Sequence, residues 1–134
     1  MGKQIWQDYF LSLGDAVNRL QKVLAINDNT IDYLPDATIQ RFEFTIELFW
    51  KVLKKFLAYE KIESTTPRDV LSKAYQYELI DDEKVWLAML DDRNNTSHMY
   101  KQEAAQKVYL RIKEYFPTIQ SAYQKLQVRF EHLS

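Results

Sequence analysis

The sequence predicts an all-α fold, an up-and-down bundle of five or six helices. Three observations carry that expectation. Apolar residues recur at steps of three and four along most of the chain, the mark of helices with one buried face. No segment of useful length alternates apolar and polar residues as a half-buried strand would. Two glycines and three prolines are too few punctuators for a turn-rich sandwich or barrel.

The first helix carries Trp6, Phe10, Leu13, Val17, Leu20 and Leu24 as one stripe, with Gln7, Asp8, Asp15, Asn18, Gln21 and Lys22 on the other side. The run Asn27-Asp28-Asn29-Thr30 breaks it, and Pro35-Asp36 opens the second helix. There Ile39, Phe42, Ile46, Phe49, Leu53 and Phe56 repeat the spacing. Trp50 and Leu57 widen the stripe, which predicts a central helix with more than one neighbour. The aromatic residues of Phe42-Glu43-Phe44 and Phe49-Trp50 are expected in the core rather than as base-stacking platforms. Lys51, Lys54, Lys55 and Lys61 read as a solvated face that could border an acidic or phosphate-bearing partner.

Thr66-Pro67-Arg68-Asp69 starts a short third helix, with Thr66 as cap, Pro67 at the first helical position and Asp69 where a capping-box acid stands. Val70, Leu71, Ala74 and Tyr75 form its apolar face. Asp81, Asp82 and Glu83 place negative charge at the start of a fourth helix, where the helix dipole favours it. Val85, Trp86, Ala88, Met89 and Leu90 are expected to bury. The polar run Arg93 to His98 then interrupts the pattern. A fifth helix carries Ala104, Val108, Ile112 and Tyr115; Pro117 is expected to bend or restart it before Ile119, Tyr123, Leu126, Phe130 and Leu133.

A chain of 134 residues suits a single domain, residues 1–134, and 46% hydrophobic with 14% aromatic content is enough for a packed core. The formal net charge of −1 disfavours stable binding to nucleic acid by phosphate neutralisation alone, although a small basic site could still engage RNA briefly. The absence of cysteine excludes disulfides, thiolate catalysis and cysteine-ligated metal centres, and suits a cytoplasmic protein. Neither a membrane-spanning apolar run nor a secretory leader is expected.

Chemistry concentrates in Arg93-Asn94-Asn95-Thr96-Ser97-His98-Met99-Tyr100, which holds a fixed cation, an imidazole, a phenol and several hydrogen-bonding groups. Five steps along a regular helix turn about 140°, so Arg93 and His98 can meet one ligand only if the helix breaks or two protomers share the site. Asn, Thr and Ser favour such a break. Two readings stay open. In one, the run is a solvated turn in which Arg93 pairs with Asp91, Asp92 or another carboxylate. In the other it is a phosphodiester site, with Arg93 gripping phosphate through its planar fork and His98 moving protons. The rival chemistries lack their patterns. His98 and His132 lie far apart without a zinc-type pair, no Gly-rich phosphate loop or G-x-S-x-G elbow occurs, and Ser97 and His98 lack an orienting acid.

Arg93-x4-His98-x-Tyr100 resembles the R-x4-H-x-Y motif of HEPN-domain proteins that pair with minimal nucleotidyltransferases. Phe42 to Lys51, Pro67 to Leu71 and Trp86 to Asn94 resemble further blocks of that family in the same order. The similarity covers nearly the whole chain and is clearest from about Gln40 to Tyr115. It implies a HEPN helical bundle acting as the toxin of a toxin–antitoxin pair. It further implies a metal-independent ribonuclease with no cofactor, working through Arg93 and His98 with support from Asn94. The resemblance also implies a homodimer whose motifs face each other, and a partner nucleotidyltransferase that silences the toxin by adding AMP to Tyr100. The same family carries an older reading, a non-catalytic substrate-binding subunit of a two-chain nucleotidyltransferase. This chain has no G-S and D-x-D signature of its own, so either reading needs the partner for nucleotide transfer.

Overall fold

The computed structural model describes residues 2–96 and 101–131. It contains α1 (Gly2–Leu24), α2 (Leu34–Tyr59), α3 (Pro67–Gln76), α4 (Glu83–Asn95) and α5 (Gln102–Glu131). No strand occurs among the described residues. The central position expected of α2 is observed, since it packs against all four other helices. Its buried stripe runs through Ile39, Phe42, Ile46, Phe49, Leu53 and Phe56, widened by Val52 and Leu57.

Two aromatic groups organise the core. Trp6 and Phe10 of α1, Phe56 of α2 and Phe130 of α5 meet at one end, with ring centroids 4.5–4.9 Å apart. Nearer the opposite end, Phe49 packs on Trp86 at 4.5 Å and Phe42 stacks on Tyr115 at 6.0 Å. Thr38 and Thr45 are fully buried, and each satisfies its hydroxyl on the carbonyl one helical turn earlier, Leu34 and Arg41.

With glycine confined to Gly2 and Gly14, other residues take the left-handed positions that stop the helices. Lys61 (φ 64°) ends α2 and Glu78 (φ 63°) ends α3. In each case the following N–H reaches back five residues, Ile62 to Leu57 and Leu79 to Ala74, both at 2.8 Å. Thr66 caps α3 by accepting from Asp69 N at 3.1 Å, as its sequence predicts. Asp69 reaches back to Thr65 N at 2.9 Å, one residue outside the usual capping-box position. Asp82 (φ 54°) caps α4 through Val85 N at 3.4 Å.

Several expectations need correction. Pro117 neither ends nor restarts a helix, because α5 runs through it from Gln102 to Glu131. Pro117 is exposed, so water can satisfy the carbonyl of Lys113 that loses its helical partner. Phe44 is 55% exposed rather than in the core: it stands two residues from Phe42, about 200° around α2 from the buried stripe, and borders a surface groove with Asp15 and Arg19 of α1. Trp50, Val85 and Ala88 are half-buried, and Tyr75, expected on the apolar face of α3, is exposed.

Gly14 of α1 faces Tyr123 of α5. A Cβ there would stand 2.6 Å from the Tyr123 hydroxyl, whose ring stacks on Phe10 at 5.1 Å. Helix propensity favours alanine over glycine by about 1 kcal/mol, but the trapped phenol opposes it. Gly14→Ala is therefore expected to be neutral or destabilising alone. In a Tyr123→Phe background it should raise the unfolding midpoint in urea, and a penalty that persists there would show that the clash is not with the hydroxyl.

Candidate functional site

The site grows from the last turn of α4. Trp86, fully buried against Phe49, sets the face of α4 that meets α2. Arg93 follows seven residues later, two turns along the same face, and so points back at α2. There its Nη2 meets Glu47 Oε2 at 2.9 Å. The same oxygen accepts from Trp50 Nε1 at 3.1 Å, and Glu47 Oε1 lies 3.4 Å from Lys51 Nζ. Arg93 Nη1 donates to Asn94 Oδ1 at 3.3 Å.

Its two predecessors point elsewhere, as successive residues 100° apart must. Asp91 accepts from Arg68 of α3 at 2.6 Å in an exposed pair. Asp92 turns towards α5 and accepts from Arg111 Nε and Nη2 at 2.9 and 2.8 Å, and from the Tyr115 hydroxyl at 2.6 Å. Three consecutive side chains thus tie the end of α4 to three different helices. The solvated-turn reading was right that Arg93 pairs with a carboxylate, and the carboxylate is Glu47.

The Asp92 network is the strongest electrostatic feature of the described residues. Burial opposes ionisation of Asp92, but the hydrogen bonds from Arg111 and Tyr115 and the Arg111 charge outweigh it, leaving the carboxyl below its ordinary range. Burial and then the hydrogen bond to Asp92 push the Tyr115 phenol up to about 12. Asp92 is therefore ionised and Tyr115 neutral at physiological pH. This is a fixed brace rather than a proton relay.

The break expected between Arg93 and His98 exists: α4 ends at Asn95, Thr96 Oγ1 bonds back to Arg93 O at 2.8 Å, and α5 begins at Gln102. Asn94 is exposed beside Arg93. His98 and Tyr100 lie outside the described residues, as does His132. Next to that segment, a cavity of about 410 Å³ is lined by Asp32, Tyr33, Asp36 and Lys101. Its two carboxylates make it a poor seat for phosphate. Among the described residues no three His, Cys, Asp or Glu side chains converge as a metal centre needs, and no helix is long and apolar enough to cross a membrane.

Sequence reasoning missed Glu47, Trp50, Arg111 and Tyr115 as parts of this region. One signal for Glu47 was available: an acid beside the apolar stripe of a central helix, with Lys51 four residues on.

Comparisons with known proteins agree with the helical fold. Residues 8–128 match the family described as nucleotidyltransferase substrate binding protein like. A Haemophilus influenzae protein named probable ribonuclease HepT is 37% identical over 103 residues, which cover 73% of this chain and 69% of that one. A crystal structure from Thermus thermophilus superposes with a TM-score of 0.73 at 29% identity, covering 88% of this chain and 98% of the other. A Haemophilus influenzae structure, described as revealing the fold of a substrate binding domain of a nucleotidyltransferase, gives 0.67 at 29% identity over 93% and 98% of the two chains. The helical bundle expected from apolar spacing is therefore also the fold of solved relatives. With the match spanning residues 8–128 of 134, the chain belongs to the nucleotidyltransferase substrate binding protein like family.

Proposed function

We propose that this protein is a HEPN-type toxin, a metal-independent endoribonuclease of the cytoplasm that acts as a homodimer through Arg93 and His98. A partner minimal nucleotidyltransferase silences it by adding AMP to Tyr100. The observation that carries the reading is the Arg93 guanidinium, held at a helix end immediately before the segment that contains His98. The relative named as a probable ribonuclease supports it.

The chemistry is transesterification. The RNA 2′-oxygen forms a bond to the adjacent phosphorus, and the bond from phosphorus to the 5′-oxygen breaks. One His98 imidazole takes the proton of the 2′-hydroxyl, and a second, from the other protomer, gives a proton to the departing 5′-oxygen. Arg93 offsets the charge that builds on the non-bridging oxygens. AMP on Tyr100, two residues from His98, would put bulk and a phosphate charge beside Arg93 and so occupy the position of the substrate.

The second reading, a substrate-binding subunit of a two-chain nucleotidyltransferase, is favoured by the description of the Haemophilus influenzae structure. Both readings place Tyr100 near the partner's active site, and they part on whether RNA is cut. Purified alone, the protein should cleave RNA in EDTA and leave 2′,3′-cyclic phosphate ends. Co-expressed with its partner, it should gain the mass of one or more AMP units on Tyr100 and stop cleaving. No cleavage by the unmodified protein would leave the binding-subunit reading, and a label mapped to another residue would remove Tyr100 as the acceptor.

A further inference from the structure

Arg93 is not free to swing, and the group that holds it is itself held. Glu47 sits on α2, 46 residues away in sequence, with its side chain 31% exposed against 35% for Arg93. Both carboxylate oxygens are engaged. Oε2 takes Arg93 Nη2 and the Trp50 indole N–H, and Oε1 faces Lys51 Nζ. The indole matters because it is rigid and lies on the same helix as Glu47, three residues on. It fixes the carboxylate before any substrate arrives.

The guanidinium has five N–H groups. Nη1 donates to Asn94, Nη2 forms the ion pair with Glu47, and Nε is buried with no hydrogen-bond partner among the described residues. The terminal nitrogens carry four N–H groups between them, donors of the kind that phosphate oxygens accept in pairs. A single carboxylate between two cations, Arg93 and Lys51, leaves the cluster net positive. The carboxylate therefore orients the arginine without cancelling its attraction for phosphate.

We propose that Glu47, hydrogen-bonded by the Trp50 indole, is the positioning residue for Arg93, holding the guanidinium by an ion pair so that it stands ready for an RNA phosphate. This role rests on the ribonuclease reading. Supporting groups of this kind matter because a side chain that must be ordered during the reaction loses much of its electrostatic advantage. Glu47 touches no substrate itself.

Two measurements test it together. In the EDTA cleavage assay, Glu47→Ala should lower kcat at least tenfold with little change in thermal unfolding. Glu47→Gln, which keeps an acceptor oxygen for Trp50 and Arg93, should recover part of the loss. Added to Arg93→Ala, at enzyme concentrations that make residual cleavage measurable, Glu47→Ala should cause no further loss. In parallel, the Arg93 Nε–H signal in ¹H–¹⁵N NMR spectra should be sharp and slow to exchange in the parent protein, and should broaden or exchange faster in Glu47→Ala. A full additional loss in the Arg93→Ala background, or an Arg93 signal indifferent to Glu47, overturns the positioning role. If the parent protein cuts no RNA, the ribonuclease reading fails, and the NMR arm still decides whether Glu47 positions Arg93.

Discussion

Replacing Arg93 with alanine is expected to lower RNA cleavage by about two to three orders of magnitude, the usual cost of losing one preorganised donor to a developing oxyanion. The loss should fall on kcat more than on KM, because the charge Arg93 meets is greatest in the transition state. Folding should be almost untouched. The Arg93–Glu47 pair is about one-third exposed on each side, and pairs of that kind contribute at most about 1 kcal/mol. The helical circular-dichroism signal and the unfolding midpoint should therefore stay close to those of the parent. Arg93→Lys keeps the charge but loses the planar guanidinium that, in the proposed reaction, would grip phosphate, so it should restore binding more than turnover. Cleavage by Arg93→Ala within a few-fold of the parent would remove Arg93 from the chemistry and return the site to a solvated helix end.

The opposite pattern is expected one residue earlier. Asp92→Ala should cost about 2–3 kcal/mol of stability, since it strands the Arg111 guanidinium and the Tyr115 hydroxyl in a partly buried site. Asp92 is 14% exposed while Arg111 is 43% exposed, so solvent recovers part of the loss on the arginine side and little on the tyrosine side. For a chain of this length the midpoint should fall by roughly 6–12 °C. Tyr115→Phe should cost less, about 1 kcal/mol, because both Arg111 bonds to Asp92 survive.

The pH dependence has a definite sign. Asp92 has a folded pKa below its unfolded value, so its contribution is complete above about pH 4 and disappears as pH falls through the folded pKa. Tyr115 behaves oppositely: with its folded value raised to about 12, its contribution is present below about pH 10 and is lost as pH rises through the folded pKa. The gap in midpoint between the parent and Asp92→Ala should be flat from about pH 6 to 8 and should close in acid below about pH 4. A gap that widens in acid would contradict an ionised Asp92. Because Asp92 also fixes the turn that carries Arg93, the variant should cleave RNA more slowly even where it is fully folded.

Much of the architecture is written in local sequence. The stripe from Trp6 to Leu20, the Thr66 cap and the polar break after Asn95 each depend on residues within a few positions of one another. A helix has one period, and residues three and four apart share a face whatever the rest of the chain does. For the same reason the central role of α2 was legible, as its stripe is too broad for one neighbour. The run from Arg93 to Tyr100 stood out by composition alone, and its likeness to the HEPN motif gave Arg93 and His98 their assigned roles.

Other features belong to the tertiary structure. Phe44 is expected in the core for its aromatic character, although the stripe through Phe42 and Phe49 passes it by; how far it is exposed depends on how α1 packs against α2. Local pattern does not say that α5 continues through Pro117, which is tolerated because its turn faces water. Above all, Asp91, Asp92 and Arg93 read as one charged run and turn out to serve α3, α5 and α2 separately. The sequence determined which charges exist and that each successive side chain turns by about 100°. Which partner each one finds, Glu47 for Arg93 above all, was decided by the packing of Trp86 on Phe49, because only the rotation and axial offset of two packed helices bring residues 46 apart within hydrogen-bond reach.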